Sequence, residues 1–580
     1  MLRASQLRNV RGAIELNITR VESCHWIQCH PPLGGGVVDT AKHRKARGAF
    51  FTPPEIARFL ASWVVQSAGD RIFEPSCGEA AFLVAVGDRL AALGLAAVDE
   101  TQLLGIDIHP RSVREAASLL SKKGFSAELT VGNFFDVKSS GDFDAVVGNP
   151  PYVRYQDFSG EDRAKAKRAA LAQGVRLSGL ASSWAAFVVH AASLLKPSGR
   201  LALVLPAELL SVNYAGRVRR FLLERFREVR LVLFEQRVFP GVMEEVVLLL
   251  AEGTGPTDHC DLYQASRLED LNQLESRSWS PPSAEAKWLP ALLPAELAEL
   301  YESFVTRSCF SPLIDWGETD LGMVTGNNKF FSLTQTRIQE LSLRKSELIR
   351  ISPPSSRHLR GLNFSERAWS EMAQSDARAF LFYPKSTPSA AAKRYIREGE
   401  KRGVHKAYKC RVRSSWWRVP LVSVPDLFVT YMNHDTPRLV ANTARVPYLN
   451  SVHGVTLRQG LRQLGSDLLP IAALNSVTLL GAELVGRSYG GGILKLEPKE
   501  ADLLPVPSVA AVRSAARDLR LLRPQLARHL RNGELDEVVA LVDRVLLIKS
   551  MKAKRSDIEA LRTARALMFT RRTARGAKKL

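Results

Sequence analysis

The sequence predicts a doubly wound α/β fold in its first half, followed by an α+β region and a helical basic tail. Three observations carry this expectation. Between about residues 50 and 255, apolar strand-like runs alternate with helical runs, the pattern of a mostly parallel sheet covered on both faces. After about residue 256 the alternation fades, and "SRSWSPPSAEAKWLP" reads as a linker. From Ser508 onward the chain is rich in Ala, Leu and Arg, with helical stretches such as "ELDEVVALVDRVLLIKS". The expected divisions are an extension over 1–40, a sheet domain over 41–255, a linker over 256–310, a second domain over 311–507 and the tail over 508–580.

The elements follow in order. In "FFTPPEIARFLASWVV", Thr52 suits an N-cap, Pro53 the first helical position, and Glu55 would complete a capping box. Ile56, Phe59, Leu60, Trp63 and Val64 then share one helical face. Strands are expected at "RIFEP" (71–75), "LLGIDI" (103–108), "ELTVGN" (128–133), "FDAVVGN" (143–149), "RLALVLP" (200–206) and "VRLVLF" (229–234). "EEVVLLLAE" (244–252) comes directly after another strand, so an antiparallel partner is expected there. "AAFLVAVGDRLAALG" and "ASSWAAFVVHAASLLK" read as covering helices.

Chemistry is expected where these strands end. Two consecutive prolines cannot continue a ladder, so Asn149, Pro150, Pro151 and Tyr152 should form a rigid loop after "FDAVVGN". In an open parallel sheet the carboxyl edge is where ligands bind. Glu74 would emerge at that edge, and Gly78 would let the backbone turn tightly around a ligand. Asp107, ending the second strand, occupies the position where a carboxylate accepts ribose hydroxyls. The absence of Gly-x-Gly-x-x-Gly argues against a pyrophosphate and for a nucleoside without phosphates, of which S-adenosylmethionine is an example.

The formal charge of +21 and pI near 9.9 suggest a polyanionic partner, most simply nucleic acid. Residues 508–580 hold 18 basic and 7 acidic side chains, so about half the excess lies in the tail. Six scattered cysteines do not make a disulfide framework, and a reducing cytoplasm is the expected location. No secretory signal or membrane-spanning run is apparent. "CHWIQCH" offers Cys24, His25, Cys29 and His30, but the spacing matches no usual zinc finger, and no metal is expected.

Taken together, these residues resemble the gamma-class N6-adenine DNA methyltransferases of restriction–modification systems. "AFFTPPEIARFL" looks like that family's N-terminal cofactor motif, with Phe51, Thr52 and Pro53. "FEPSCGEAAFL" is similar to its Asp/Glu-Pro-x-x-Gly-x-Gly-x-Phe loop, with Glu74, Pro75, Ser76 and Gly78, and "GIDIHP" to its acidic motif, with Asp107 and Ile108. "VGNFFD" matches the third cofactor motif through Asn133 and Phe134, "VVGNPPYVRY" the catalytic Asn/Asp-Pro-Pro-Tyr, and "VFPGVMEEVVLLL" the aromatic motif containing Phe239. Two positions depart from the pattern: Ala80 replaces the second glycine of the loop, and Asn133 stands where a carboxylate is expected.

The resemblance implies a Rossmann-like methyltransferase sheet using S-adenosylmethionine and methylating an adenine flipped out of duplex DNA. It assigns the two acceptors for the adenine amine to the Asn149 side chain and the Pro150 carbonyl. Proline restricts its own torsion and its predecessor's, so both oxygens would be held in advance. Tyr152 and Phe239 would stack on the base. Asn133 would offer its carbonyl to the cofactor's adenine amino group.

In the second half, "TGNNKFF" reads as a hairpin turn, and with "YLNSVHGV" and residues 474–507 resembles the target-recognition domains attached to these enzymes. "KRYIREGEKRGVHKAYKCRVRSSWWR" (393–418) carries ten basic and two acidic residues interleaved with Tyr395, Tyr408, Trp416 and Trp417. Lys393, Arg394, Arg411, Arg413, Trp416 and Trp417 are the candidate DNA contacts. The tail could clamp DNA, pack on this region or meet a partner. A separately encoded restriction endonuclease is an expected partner. The alternative readings are a protein-glutamine or rRNA N-methyltransferase, and a non-catalytic DNA-binding subunit that kept the fold. A fused nuclease lacks both a metal motif and room for a domain.

Overall fold

The structure, a computed structural model, describes residues 52–138, 141–234, 245–265, 267–272, 275–385, 387–489 and 491–574. Phe51, Phe239 and the Cys24–His30 cluster lie outside the described residues. The chain divides into two compact units, Met1–Ala286 and Lys287–Leu580.

In the first unit the described strands are β1 (Ile72–Pro75), β2 (Leu103–Asp107), β3 (Glu128–Val131), β4 (Phe143–Gly148), β5 (Leu195–Pro206), β6 (Phe226–Phe234), β7 (Val246–Thr254), β8 (Cys260–Ala265) and β9 (Ser276–Trp279). They form one sheet in the order β3–β2–β1–β4–β5–β7–β6–β8–β9. Strands β3 to β5 pair in parallel, and β7 runs antiparallel between β5 and β6. Every residue of β1 and β2 is buried, as befits parallel strands covered on both faces. Strand order reverses at β1 and β4, which opens a crevice at their carboxyl ends.

Helices α1 (Pro54–Val64), α2 (Ala81–Ala92), α3 (Pro110–Lys122), α4 (Gly160–Ala172), α5 (Ser183–Ala192) and α6 (Gly216–Arg225) accompany the sheet. α1 buries Ile56, Ala57, Leu60, Ala61 and Val64, so its apolar stripe is centred on the i, i+4 series, with Phe59 and Trp63 half-buried at its margin. Each fully buried Ile, Leu or Val here stabilises the fold by about 1.5–3 kcal/mol as an upper estimate. The expected capping box is absent. Pro53 occupies the N-cap position, no side chain caps the turn, and Glu55 pairs with Arg58 instead. Behind β1, the buried Asp70 accepts from the Gln66 and Ser67 amides and pairs with the buried Arg200 at 2.7 Å, tying the strand's entrance to β5.

The segment expected as a linker is largely structured. β8 pairs in parallel with β6, β9 closes on β8, and helix Ala295–Val305 follows in the second unit. Cys260, Leu262 and Ala265 are buried, so a short alternating pattern outweighs the polar flanks. The prolines at 281 and 282 come just after the last strand of the sheet.

The second unit has a five-stranded sheet in the order Gly317–Leu321, Val452–Leu457, Leu427–Thr430, Leu439–Asn442, Asn363–Phe364, together with smaller two- and three-stranded sheets. "TGNNKFF" is not a hairpin. Asn327 accepts from the Phe330 amide and caps the short helical turn Asn328–Phe331, after Gly326 takes a φ of 87°. The tail packs on this unit. Arg572, 3% exposed, donates to both Glu483 oxygens at 2.8 Å, and Arg562 pairs with the buried Asp543, which in turn holds Ser476. Among the described residues, no single helix is long and apolar enough to cross a membrane.

Candidate active site

Three strand ends build the site. After β1 the backbone turns through a run of left-handed residues, Ser76 (φ 57°), Gly78 (φ 51°) and Ala80 (φ 63°), before α2 begins. Glu74 is buried, and its carboxylate accepts from the Leu83 amide at 3.1 Å. Burial pushes its carboxyl well above the usual range. The Leu83 hydrogen bond opposes that rise, and the nearby Asp107 charge adds to it. Asp107, ending β2, accepts from the Gly78 amide at 3.0 Å and the His109 amide at 2.8 Å. One bond thus fixes the loop after β1 to the carboxylate after β2.

Gly148, the last residue of β4, leads the Asn149–Tyr152 loop close to this pair. A Cβ there would lie 3.3 Å from the Pro75 carbonyl and 3.8 Å from Glu74 Cγ, a tight contact that a larger residue would relieve by moving the two strand ends apart by a few tenths of an ångström. Beyond it, Asn149 Nδ2 donates to Thr52 Oγ1 at 3.2 Å, while Asn149 Oδ1 accepts from the Tyr152 hydroxyl at 2.8 Å. Both ends of the amide are therefore assigned. Thr52, expected as a helix cap, instead ties the start of α1 to the loop after β4.

Ser183, the first residue of α5, was not singled out from sequence. Its hydroxyl accepts from the Val153 amide at 2.9 Å and donates to the Pro151 carbonyl, and its own amide donates to the Val153 carbonyl at 3.0 Å. The loop is clamped on both sides of Tyr152. Tyr152 is 7% exposed, and its hydroxyl also lies 3.1 Å from the Val204 carbonyl in β5.

At the end of β2, Ile108 is 54% exposed directly after a fully buried strand. Exposed apolar surface beside two carboxylates suits the face of a nucleoside. Asn133 follows β3, next to Asp107, which pairs with Val131 and whose carbonyl accepts from the Gly132 amide at 3.0 Å. Asn133 caps the turn Phe134–Asp136 through a 2.9 Å bond from Phe135, and its Nδ2 donates to Asp162 at 2.8 Å. Its oxygen thus already accepts one hydrogen bond and keeps one lone pair. Phe134, 2% exposed, packs among Phe73, Phe187 and His190.

In the second unit the basic stretch is partly scaffold. Tyr395 is buried and stacks on Phe330 with ring centroids 4.4 Å apart and an interplanar angle of 4°. Arg413 donates to the Val324 carbonyl at 2.6 Å, and Trp416 donates to Glu400 at 3.2 Å while packing against Phe330. Trp417 packs on the same apolar cluster. Lys393, Arg394 and Arg411 are exposed, as is Tyr408 at 64%.

Comparison with known proteins agrees with this geometry. Residues 38–277 match the family described as N-6 DNA Methylase, and residues 285–547 match the C-terminal domain of the Type II methyltransferase M.Eco57I. The Type II methyltransferase M.AccI of Acinetobacter calcoaceticus is 22% identical over 535 residues, covering 88% of this chain and 95% of that protein. The Type II methyltransferase M.XamI of Xanthomonas campestris pv. amaranthicola is 25% identical over 494 residues, covering 81% and 87%. Among solved structures, the Type IIL restriction-modification enzyme MmeI in complex with DNA shares the fold, with a TM-score of 0.51 at 13% identity over 89% of this chain and 75% of that one. Along most of its length the chain is therefore similar to the N6-adenine DNA methyltransferases of restriction–modification systems.

Proposed function

We propose that this chain transfers a methyl group from S-adenosylmethionine to N6 of an adenine flipped out of duplex DNA, as the modification component of its system. The observation that carries the reading is the Asn149 amide. Thr52 takes its nitrogen end, Tyr152 approaches its oxygen, and the loop stands beside the Glu74–Asp107 crevice where strand order reverses. An amide oxygen accepts two hydrogen bonds, so Oδ1 keeps a lone pair for an incoming amine.

An exocyclic adenine nitrogen is a poor nucleophile because its lone pair is delocalised into the ring. Two acceptors on its hydrogens, Asn149 Oδ1 and the Pro150 carbonyl, favour a tetrahedral nitrogen with the lone pair directed away from them. S-adenosylmethionine, when bound, supplies the electrophilic methyl group. Asp107 and Glu74 would hold its polar groups, and Ile108 would cover a face of its base. Gly78 fits this role, since a Cβ there meets nothing within 4 Å and the space beside it is open. No strong general base is needed, and orientation does most of the work.

With only 7% of Tyr152 exposed, stacking on a flipped base requires the ring to be uncovered as the base arrives. Phe239 completes the stacking pair in this reading. The exposed Lys393, Arg394 and Arg411 would neutralise DNA phosphates, and a separately encoded endonuclease would supply cleavage. The domain reading becomes a methyltransferase unit ending near Ala286 and a recognition unit from Lys287 that includes the tail.

The test is methyl transfer from labelled S-adenosylmethionine to duplex DNA, with modified adenines mapped by single-molecule sequencing. Asn149→Ala should abolish transfer while cofactor and DNA still bind. Full transfer by that variant, or labelling of release factors or rRNA instead of DNA, would overturn the reading.

A further inference from the structure

We propose that Asp162 supplies the anionic acceptor for the amino group of the cofactor's adenine, with Asn133 positioning it. The inference rests on the cofactor proposed above. A nucleoside whose ribose meets Asp107 extends over the neighbouring edge, where β3 ends at Asn133. The exocyclic amine of its base needs an acceptor there.

Asn133 alone offers that amine only a neutral oxygen, one of whose lone pairs is taken. Its Oδ1 accepts from the Phe135 amide at 2.9 Å, and its Nδ2 donates to Asp162 Oδ1 at 2.8 Å. Turning the amide over would set N–H against N–H and oxygen against carboxylate, so the orientation is locked from both ends. The amide therefore presents a donor toward α4 and draws a carboxylate to itself.

That carboxylate is uncommitted. Asp162 stands in the first turn of α4 and is exposed. The neighbouring Asp136 and Glu161 both pair with Lys165, at 2.6 and 3.5 Å, and the adjacent Arg163 donates to the Gly179 carbonyl. Asp162 has no cationic partner among the described residues, so its second oxygen is available to a ligand. The neutral residue at 133 also follows from this arrangement. An aspartate there would set two carboxylates in hydrogen-bond contact, and like charges that close disfavour each other.

The experiment is calorimetric binding of S-adenosylhomocysteine and of its inosine counterpart, in which a carbonyl replaces the adenine amine. The unaltered protein should prefer the adenosine compound by about tenfold or more, as expected for a charged hydrogen bond. Asp162→Asn should lose or reverse that preference, weakening the adenosine compound while the new amide N–H holds or strengthens the inosine compound. Adding Asn133→Asp to Asp162→Asn should restore the preference by returning one carboxylate to the edge. An unchanged preference in Asp162→Asn, or equal loss of both ligands, overturns the proposal and leaves the cofactor reading standing. Failure of the unaltered protein to bind S-adenosylhomocysteine overturns both.

Discussion

Removing one oxygen from Tyr152 separates two roles that its position combines. Tyr152→Phe keeps the ring and deletes the hydroxyl that donates to Asn149 Oδ1 at 2.8 Å and lies 3.1 Å from the Val204 carbonyl. A neutral hydrogen bond of this kind is worth about 1 kcal/mol net, and leaving a buried carbonyl short of a partner adds up to about 1–3 kcal/mol. The part that bears on catalysis is the orientation of Asn149, which would then rest on Thr52 alone. A loss of about 1–2 kcal/mol in the transition state corresponds to a fall in kcat of about five- to thirtyfold. S-adenosylhomocysteine affinity should be unchanged, because the cofactor does not meet the hydroxyl in this reading. Thr52→Val should give a similar fall, and the double variant should lose less than the product of the two, since both act on one amide. The assay is single-turnover methylation of a duplex, with calorimetry for the cofactor. Full kcat in Tyr152→Phe beside a collapsed Tyr152→Ala would show that only the ring matters and would refute the orienting role.

Further expectations concern stability, protons and salt. Ala80 holds a left-handed conformation with its methyl buried, a conformation costing about 1–2 kcal/mol. Ala80→Gly should therefore stabilise the first unit by about 0.5–1 kcal/mol in denaturant titrations once glycine's greater unfolded freedom is subtracted. A destabilised variant would mean that the methyl group's packing dominates. Glu74 has its carboxyl raised by burial, so its contribution to stability is complete at low pH and declines as pH rises through the folded value. A cationic cofactor reverses that rise. Binding at a pH where the free Glu74 is still protonated should release protons and tighten with increasing pH, and heats measured over a pH series in buffers of different ionisation enthalpy check this, with Glu74→Gln removing the effect. DNA affinity should fall steeply with salt, and replacing Lys393, Arg394 or Arg411 by Ala should each reduce the log–log slope by about 0.9 if that residue meets a phosphate. Arg572→Met, which strands the buried Glu483, should cost the second unit about 3–5 kcal/mol, read as a lowered denaturant midpoint.

The sheet was legible because its strands are apolar on both faces and bounded by Gly, Pro or Asp, so each expected strand in the first half returns within a few residues of its place. The loop at Asn149–Tyr152 was legible for a similar reason, since two prolines after a buried strand leave few alternatives. What the sequence did not reveal depends on contacts between distant positions. Thr52 meets Asn149 across 97 residues, and Ser183 meets Val153 across 30, and neither pairing leaves a local pattern. A serine opening an otherwise apolar helix was the only available hint. β8 was hidden because a short alternating run in polar company resembles a linker. Trp416 and Tyr395 lie in a stretch of ten basic residues, and composition cannot tell an aromatic that stacks on Phe330 from one that faces a nucleic acid.

Arg572 has a practical meaning for anyone who wishes to retarget such an enzyme. Its guanidinium reaches Glu483 and the carbonyls of His434, Asp435 and Gly492, so the last helix acts as a keystone for segments scattered over much of the second unit. A chimaera cut at the head of the tail would remove that keystone from both parents. A graft carrying everything from residue 287 through 574 as a single cassette keeps each donor's own closure intact.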